Sequence, residues 1–150
     1  MANKSNKNSN QISQKILVPL ASLPAVLLPW YDREKRSLPW RDIVTPYRTW
    51  VSEIMLQQTR VQAVLPYFER FMSAAPDVPA LAELAEDRLL SLWQGLGYYS
   101  RARSLQRSAR VMVDQYGGCL PDTYSDLIQL PGIGDYTAGA ILSIAFNKAV

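Results

Sequence analysis

Histidine is absent from this 150-residue chain, and cysteine occurs once, at Cys119. Without histidine there is no Ser-His-Asp or Cys-His catalysis, and the commonest zinc sites are gone with it. A single cysteine excludes an internal disulfide and fits a reducing compartment. Long hydrophobic runs are missing too. The most apolar stretch, 16–30, is broken by Pro19, Pro24 and Pro29 and falls short of the ~18 apolar residues of a membrane span. It also lacks a small-residue cleavage site of the signal-peptide kind before Tyr31-Asp32-Arg33-Glu34. No segment alternates with period two as a half-buried strand would. Any catalysis must rest on carboxylates, tyrosines, lysines or the backbone.

What is present reads as an α-helical domain. Hydrophobic residues make up 48% of the chain, enough for a core, and the formal charge of +3 permits nucleic-acid binding without requiring it. Residues 1–14 are almost all Asn, Lys, Ser and Gln, a polar tail expected to be disordered. Residues 15–150 form the domain. Ser22-Leu23-Pro24 opens a helix over Ala25–Arg36, which Pro29 should kink or shorten. Thr45-Pro46 opens a second, through Leu56. Thr59 is the expected N-cap of a third, with Val61, Val64, Leu65, Phe68, Phe71 and Met72 on one stripe and Pro66 interrupting. Short helices are expected over Ala80–Ala85 and Asp87–Gln94. A longer one, Tyr99–Tyr116, turns Ala102, Leu105, Ala109, Met112, Val113 and Tyr116 inward and ends at Gly117-Gly118. Seven or eight helices in all are expected.

The segment Leu130-Pro131-Gly132-Ile133-Gly134 reads as a tight hairpin between a helix from Tyr124 and another from Asp135 to Phe146. Two glycines permit backbone conformations closed to residues with a Cβ. Bare amides feeding a helix N-terminus suit an anion, here a phosphate. The same letters equally describe an ordinary helical corner in a core.

Two further motifs accompany the hairpin. One is Leu38-Pro39-Trp40-Arg41, then Thr45-Pro46-Tyr47, then Ser52-Glu53-Ile54-Met55-Leu56-Gln57-Gln58-Thr59. The other is Trp93-Gln94-Gly95-Leu96-Gly97-Tyr98-Tyr99-Ser100-Arg101-Ala102-Arg103. In this order and spacing the set resembles the helix-hairpin-helix DNA glycosylases, and within them the adenine DNA glycosylases of the MutY type. The likeness runs from about Ala25 to Val150. It implies an all-α fold, the six-helix-barrel half of a two-lobed catalytic domain.

The resemblance also implies a chemistry, in which a mispaired adenine is flipped out of double-stranded DNA and its N-glycosidic bond hydrolysed. Glu53 matches the general acid. Its apolar neighbours Trp50, Val51, Ile54, Met55 and Leu56 should raise its pKa toward a useful value. Gln58, Thr59, Leu96 and Tyr98 match residues that enter the duplex and read the opposing 8-oxoguanine or guanine. Trp40 and Arg41 match a segment lining the adenine pocket, and Gly132, Ile133 and Gly134 match the phosphate-binding hairpin. Arg101 and Arg103 are the better phosphate candidates among the helix arginines. Tyr136 stands where bifunctional relatives such as endonuclease III place a Schiff-base lysine, so the chain reads as a monofunctional hydrolase.

The chain departs from the pattern in one respect. The aspartate of a Val/Leu-Asp-Gly-Asn-Val context and the four cysteines of a [4Fe-4S] cluster are expected beyond Val150, so the domain reads as truncated before its iron–sulfur lobe. Cys119 lies in no cluster motif, and metal ligands are expected to be absent from these residues. As an isolated piece the chain is expected to have little activity. The alternative reading is a helix-hairpin-helix DNA-binding module without catalysis. A monomer, acting in the cytoplasm on nucleoid DNA and not at a membrane, is expected.

Overall fold

The computed structural model of the protein describes residues 22–149, and every regular element among them is a helix. The polar tail expected over 1–14 lies outside the described residues. Contacts divide the chain after Arg36 into two units. In the first, α1 (Leu23–Glu34) has Pro24 in its first turn, as the sequence suggested, and runs through Pro29 without ending there. The Lys35 amide closes the last turn on the Tyr31 carbonyl at 2.7 Å, and its ammonium meets Asp32 at 2.9 Å.

The second unit begins at Ser37 and holds α2 (Pro39–Asp42), α3 (Pro46–Leu56), α4 (Val61–Ala74), α5 (Val78–Glu83), α6 (Glu86–Trp93), α7 (Tyr99–Tyr116), α8 (Tyr124–Leu127) and α9 (Asp135–Ala145). The nine helices among the described residues exceed the seven or eight expected. The single-turn α2 is too short to show periodicity; Pro39 in its first turn sets it. No described helix is long and apolar enough to cross a membrane.

Helix α3 is central, packing against α2, α4, α7 and α9. Thr45 caps it, its hydroxyl accepting the Arg48 amide at 3.1 Å, and Pro46 supplies the first turn. Tyr47, Thr49, Trp50, Val51, Ser52, Ile54 and Met55 are buried around most of its circumference, the pattern of a helix enclosed by others. Met55, Phe68 and Phe71 are fully buried, each stabilising the fold by about 1.5–3 kcal/mol.

Helix α4 buries Val64, Phe68 and Phe71 and keeps Val61, Leu65 and Met72 half-buried, the expected stripe. Pro66 lies inside it on the exposed side, where water can serve the carbonyl that loses its partner. Thr59 is not its N-cap. Arg60 takes that position without a side-chain bond, because the Thr59 hydroxyl is engaged with the Gln57 carbonyl and the Arg101 guanidinium. Helix α7 turns Ala102, Leu105, Ala109 and Met112 inward as expected, but Val113 is exposed. It ends at Gly117, in the left-handed region at φ +61, with the Gly118 amide on the Met112 carbonyl at 2.9 Å. Buried Gln106 donates from α7 to the Leu81 and Leu84 carbonyls, closing the end of α5.

Candidate functional site

Between Thr49 and Met55, Glu53 is the one residue of α3 that is not buried. Its neighbours fix its chemistry. Removal from water pushes the carboxyl above its ordinary range, and the positive charge of Arg41 pulls the other way, more weakly. Raised pKa by burial is what the apolar flanks led us to expect. The Glu53 side chain has no hydrogen-bond partner among the described residues, so it is free to engage something else.

Arg41 reaches this neighbourhood on α2, whose position depends on Arg48. The Arg48 guanidinium donates to the Pro39 carbonyl at 2.8 Å and the Ile43 carbonyl at 3.1 Å while lying 5.1 Å from the Phe68 ring centroid. Trp40, expected to line the adenine pocket, is buried edge-on against Phe68, centroids 5.1 Å apart. Arg41 alone of the pair remains at the surface.

The C-terminal end of α3 leads to Gln58, and the turn before α7 leads to Tyr98. Both hold left-handed backbone, at φ +56 and φ +49. Only Asn147 among the other described non-glycine residues does so. Such conformations carry strain of about 1–3 kcal/mol and collect at functional sites. Both side chains are exposed, Tyr98 by 63% although it is a large aromatic residue. Leu96, expected in the same contact, is buried in the hydrophobic cluster. Thr59 is half-buried.

The hairpin is seated on α7. Ser108 donates to the Pro131 carbonyl at 2.6 Å, and a Cβ at Gly132 would come within 2.9 Å of the Ser104 Cβ. Gly132 is left-handed at φ +81, so both backbone and space demand glycine there. Gly134 is different. As the α9 N-cap, at φ −101, it has no neighbour within 4 Å of where a Cβ would stand. Ile133 is buried and donates its amide to the Leu130 carbonyl at 3.1 Å. The exposed Gly132 and Gly134 amides on either side have no acceptor among the described residues. Two open donors beside a helix N-terminus suit an anion. A recess of about 100 Å³ between the end of α3, α7 and the hairpin is lined by Ile54, Gln57, Ser100, Ser104, Leu105 and Gly132.

Tyr136 stands in the first turn of α9, 79% exposed, on a helix that packs against α3. Among the described residues its hydroxyl bonds neither to Glu53 nor to any other group. Beside it, Asp135 accepts from the Tyr124 hydroxyl at 2.8 Å.

The two phosphate candidates among the helix arginines are both engaged within the protein. Arg101 spends its guanidinium on backbone carbonyls of the α3 end and the Leu96-Gly97 turn, and Arg103 pairs with Glu86 at 2.8 Å. Sequence patterning offered no signal for the roles of Arg48 and Arg101, because their partners are main-chain oxygens. A four-cysteine iron–sulfur cluster does not fit the residues present. Cys119 is a lone, exposed cysteine, and no group of three or more His, Cys, Asp or Glu among the described residues could hold a metal ion.

Comparison with known proteins places the chain in a family and a fold. Residues 51–148 match the model of the HhH-GPD superfamily of base excision DNA repair proteins. An adenine DNA glycosylase of Buchnera aphidicola (subsp. Baizongia pistaciae) is 46% identical over 122 residues, covering 81% of this chain and 35% of that protein. An adenine DNA glycosylase of Mus musculus is 50% identical over 131 residues, covering 81% of this chain and 25% of its own. The chain thus spans about a third and a quarter of those relatives' lengths. A thermostable thymine-DNA glycosylase structure superposes with a TM-score of 0.78 at 26% identity, over 85% of this chain and 59% of that one. Endonuclease III in a trapped covalent intermediate with DNA shares the fold at a TM-score of 0.69 and 21% identity, over 79% and 55%.

Proposed function

The chain belongs to the HhH-GPD superfamily of base excision DNA repair proteins, and on that premise we propose that it is the part of an adenine DNA glycosylase that carries the general acid. The substrate is double-stranded DNA with adenine opposite 8-oxoguanine or guanine. The observation that carries the reading is Glu53, the single half-buried residue on the otherwise buried inner stretch of α3, with its pKa raised by removal from water. The curated relatives named adenine DNA glycosylase support it at 46% and 50% identity.

In this reading the adenine leaves the stack, because its reacting atoms are inaccessible within the duplex. Gln58 and Tyr98 fill the gap, with Thr59 reading the opposite base beside them. The open amides of Gly132 and Gly134, steadied by buried Ile133, hold a backbone phosphate of one strand. Glu53 starts protonated and gives its proton to the purine, turning the base into a leaving group as the sugar becomes cationic. A raised pKa keeps more of this acid protonated near neutral pH. Arg41 tunes that acid from the pocket edge, and Tyr136 contributes a hydroxyl near the sugar. A tyrosine has no amine for a Schiff base, which makes the enzyme a monofunctional hydrolase. It works as a monomer on nucleoid DNA.

The test is single-turnover adenine release from a duplex with one A:8-oxoguanine pair. Whatever the absolute rate of these 150 residues, Glu53→Gln is expected to lower it by about 10²–10⁴-fold, the usual contribution of a general acid. Duplex binding without release by either protein would instead favour a non-catalytic DNA-binding module.

A further inference from the structure

Gln58 and Tyr98 hold left-handed backbone on two separate turns, 40 positions apart, and a strained residue stays strained only where its surroundings impose it. One side chain grips both turns. Arg101 Nη1 donates to the carbonyls of Ile54 at 3.0 Å, Met55 at 3.1 Å and Gln57. Its Nη2 donates to the carbonyls of Leu96 at 3.1 Å and Gly97 at 3.2 Å, and to the Thr59 hydroxyl at 3.4 Å. The Gln57 carbonyl belongs to the peptide bond that leads into Gln58, and the Gly97 carbonyl to the one that leads into Tyr98. The guanidinium also lies 5.5 Å from the Trp93 ring centroid and 5.6 Å from that of Tyr98. Bonds from a charged donor are the stronger kind, and the planar fork is what lets one group serve carbonyls from two directions.

We propose that Arg101 is a positioning residue that locks Gln58 and Tyr98 to one another, so that the two side chains enter the duplex as a single rigid wedge. The wedge rests on the DNA-opening reading above; the lock does not. A lysine keeps the charge but has a single nitrogen, so it cannot span both turns.

Amide exchange on the native protein tests the lock without DNA. In a urea series, the hydrogen-bonded amides of the two turns, Thr59 on the Leu56 carbonyl and Leu96 on the Trp93 carbonyl, are expected to open with one common free energy in the wild-type chain. Arg101→Lys is expected to speed exchange in both turns by at least about tenfold while the α5 and α7 core exchanges as before. Separate opening energies, or acceleration of one turn alone, overturn the proposal. Should Arg101→Lys fail to fold, the wild-type series still decides.

A second readout separates positioning from general stability. Fluorescence of 2-aminopurine at the target position reports duplex opening, at a temperature where circular dichroism shows every variant folded. Arg101→Lys should reduce opening, yet add little loss when combined with Gln58→Ala and Tyr98→Ala, since it acts through those residues. Full additivity overturns the proposal. A wild-type chain that opens no duplex sinks the glycosylase reading, and the exchange experiment then still tests the lock by itself.

Discussion

The two hairpin glycines look equivalent in sequence but face opposite constraints, which gives a sharp prediction. At Gly132 an alanine must adopt φ +81 and place its Cβ 2.9 Å from the Ser104 Cβ. The left-handed backbone costs alanine roughly 1–2 kcal/mol, and forcing a methyl into packed surroundings costs about 1–3 kcal/mol more. Gly132→Ala is therefore expected to lose about 2–5 kcal/mol, a large share of the 5–15 kcal/mol of a typical domain. At Gly134 the backbone lies at φ −101 with open space around it, so alanine should stay within about 0.5 kcal/mol of wild type. Yet that methyl would stand beside an exposed amide assigned above to a phosphate. Gly134→Ala should fold normally and bind duplex DNA more weakly. Urea unfolding followed by circular dichroism gives the first quantity, and duplex titration at two salt concentrations the second. Measured against Ser104→Gly alone, which carries its own helix penalty inside α7, adding Gly132→Ala should lose only the backbone part. Gly132→Ala unfolding within 0.5 kcal/mol of wild type, or Gly134→Ala unfolding as readily as Gly132→Ala, would refute this account of the hairpin.

Glu53 should make stability depend on pH in a defined direction. Its folded pKa is raised, so the unfavourable contribution is absent below the unfolded value, grows as pH rises through it, and is complete above the folded value. Glu53→Gln should accordingly be more stable than wild type at pH 8 and equal to it at pH 3, the difference being reduced by solvent screening at this half-exposed position. A wild-type protein more stable than the variant at pH 8 in urea titrations would contradict the burial argument. Tyr47→Phe removes a buried hydroxyl that donates to the Ala75 carbonyl at 2.8 Å, and should cost about 1–3 kcal/mol in thermal unfolding. Borohydride added during turnover should trap no protein–DNA adduct, since Tyr136 offers no amine; an adduct as abundant as a bifunctional glycosylase gives would overturn the monofunctional assignment.

Periodicity located the long helices well because they bury regular stripes. Tyr99–Tyr116 matches α7 residue for residue, and Pro46 with Leu56 bounds α3. The misplacements share a cause. Thr59 looked like a cap because threonine before an apolar stripe usually is one, but a guanidinium from 42 residues away competes for its hydroxyl. Trp40 and Leu96 were expected by motif at the adenine pocket and the duplex, and patterning gave no sign that packing would bury both. The raised pKa of Glu53 was legible through its apolar flanks, whereas its proposed role as the acid came from the motif around it. The strain at Gln58 and Tyr98 was not legible, since nothing in a glutamine or a tyrosine forecasts φ > 0. Nor could the letters separate Gly132 from Gly134, whose difference lies in Ser104 on another helix.

Helix α3 carries the carboxylate proposed as the acid on a segment otherwise enclosed by the core, which bears on how genetic variants of this protein would present in cells. Substitutions at Trp50, Val51, Ile54 or Met55 should act through abundance, because a loss of 1–2 kcal/mol exposes more chains to degradation. Changes at Glu53, Tyr98 or Gly134 should leave protein levels near normal and remove function alone. Measuring steady-state protein alongside mutation frequency would therefore sort neighbouring variants into two classes, and only the second should respond poorly to chaperone induction or lower growth temperature.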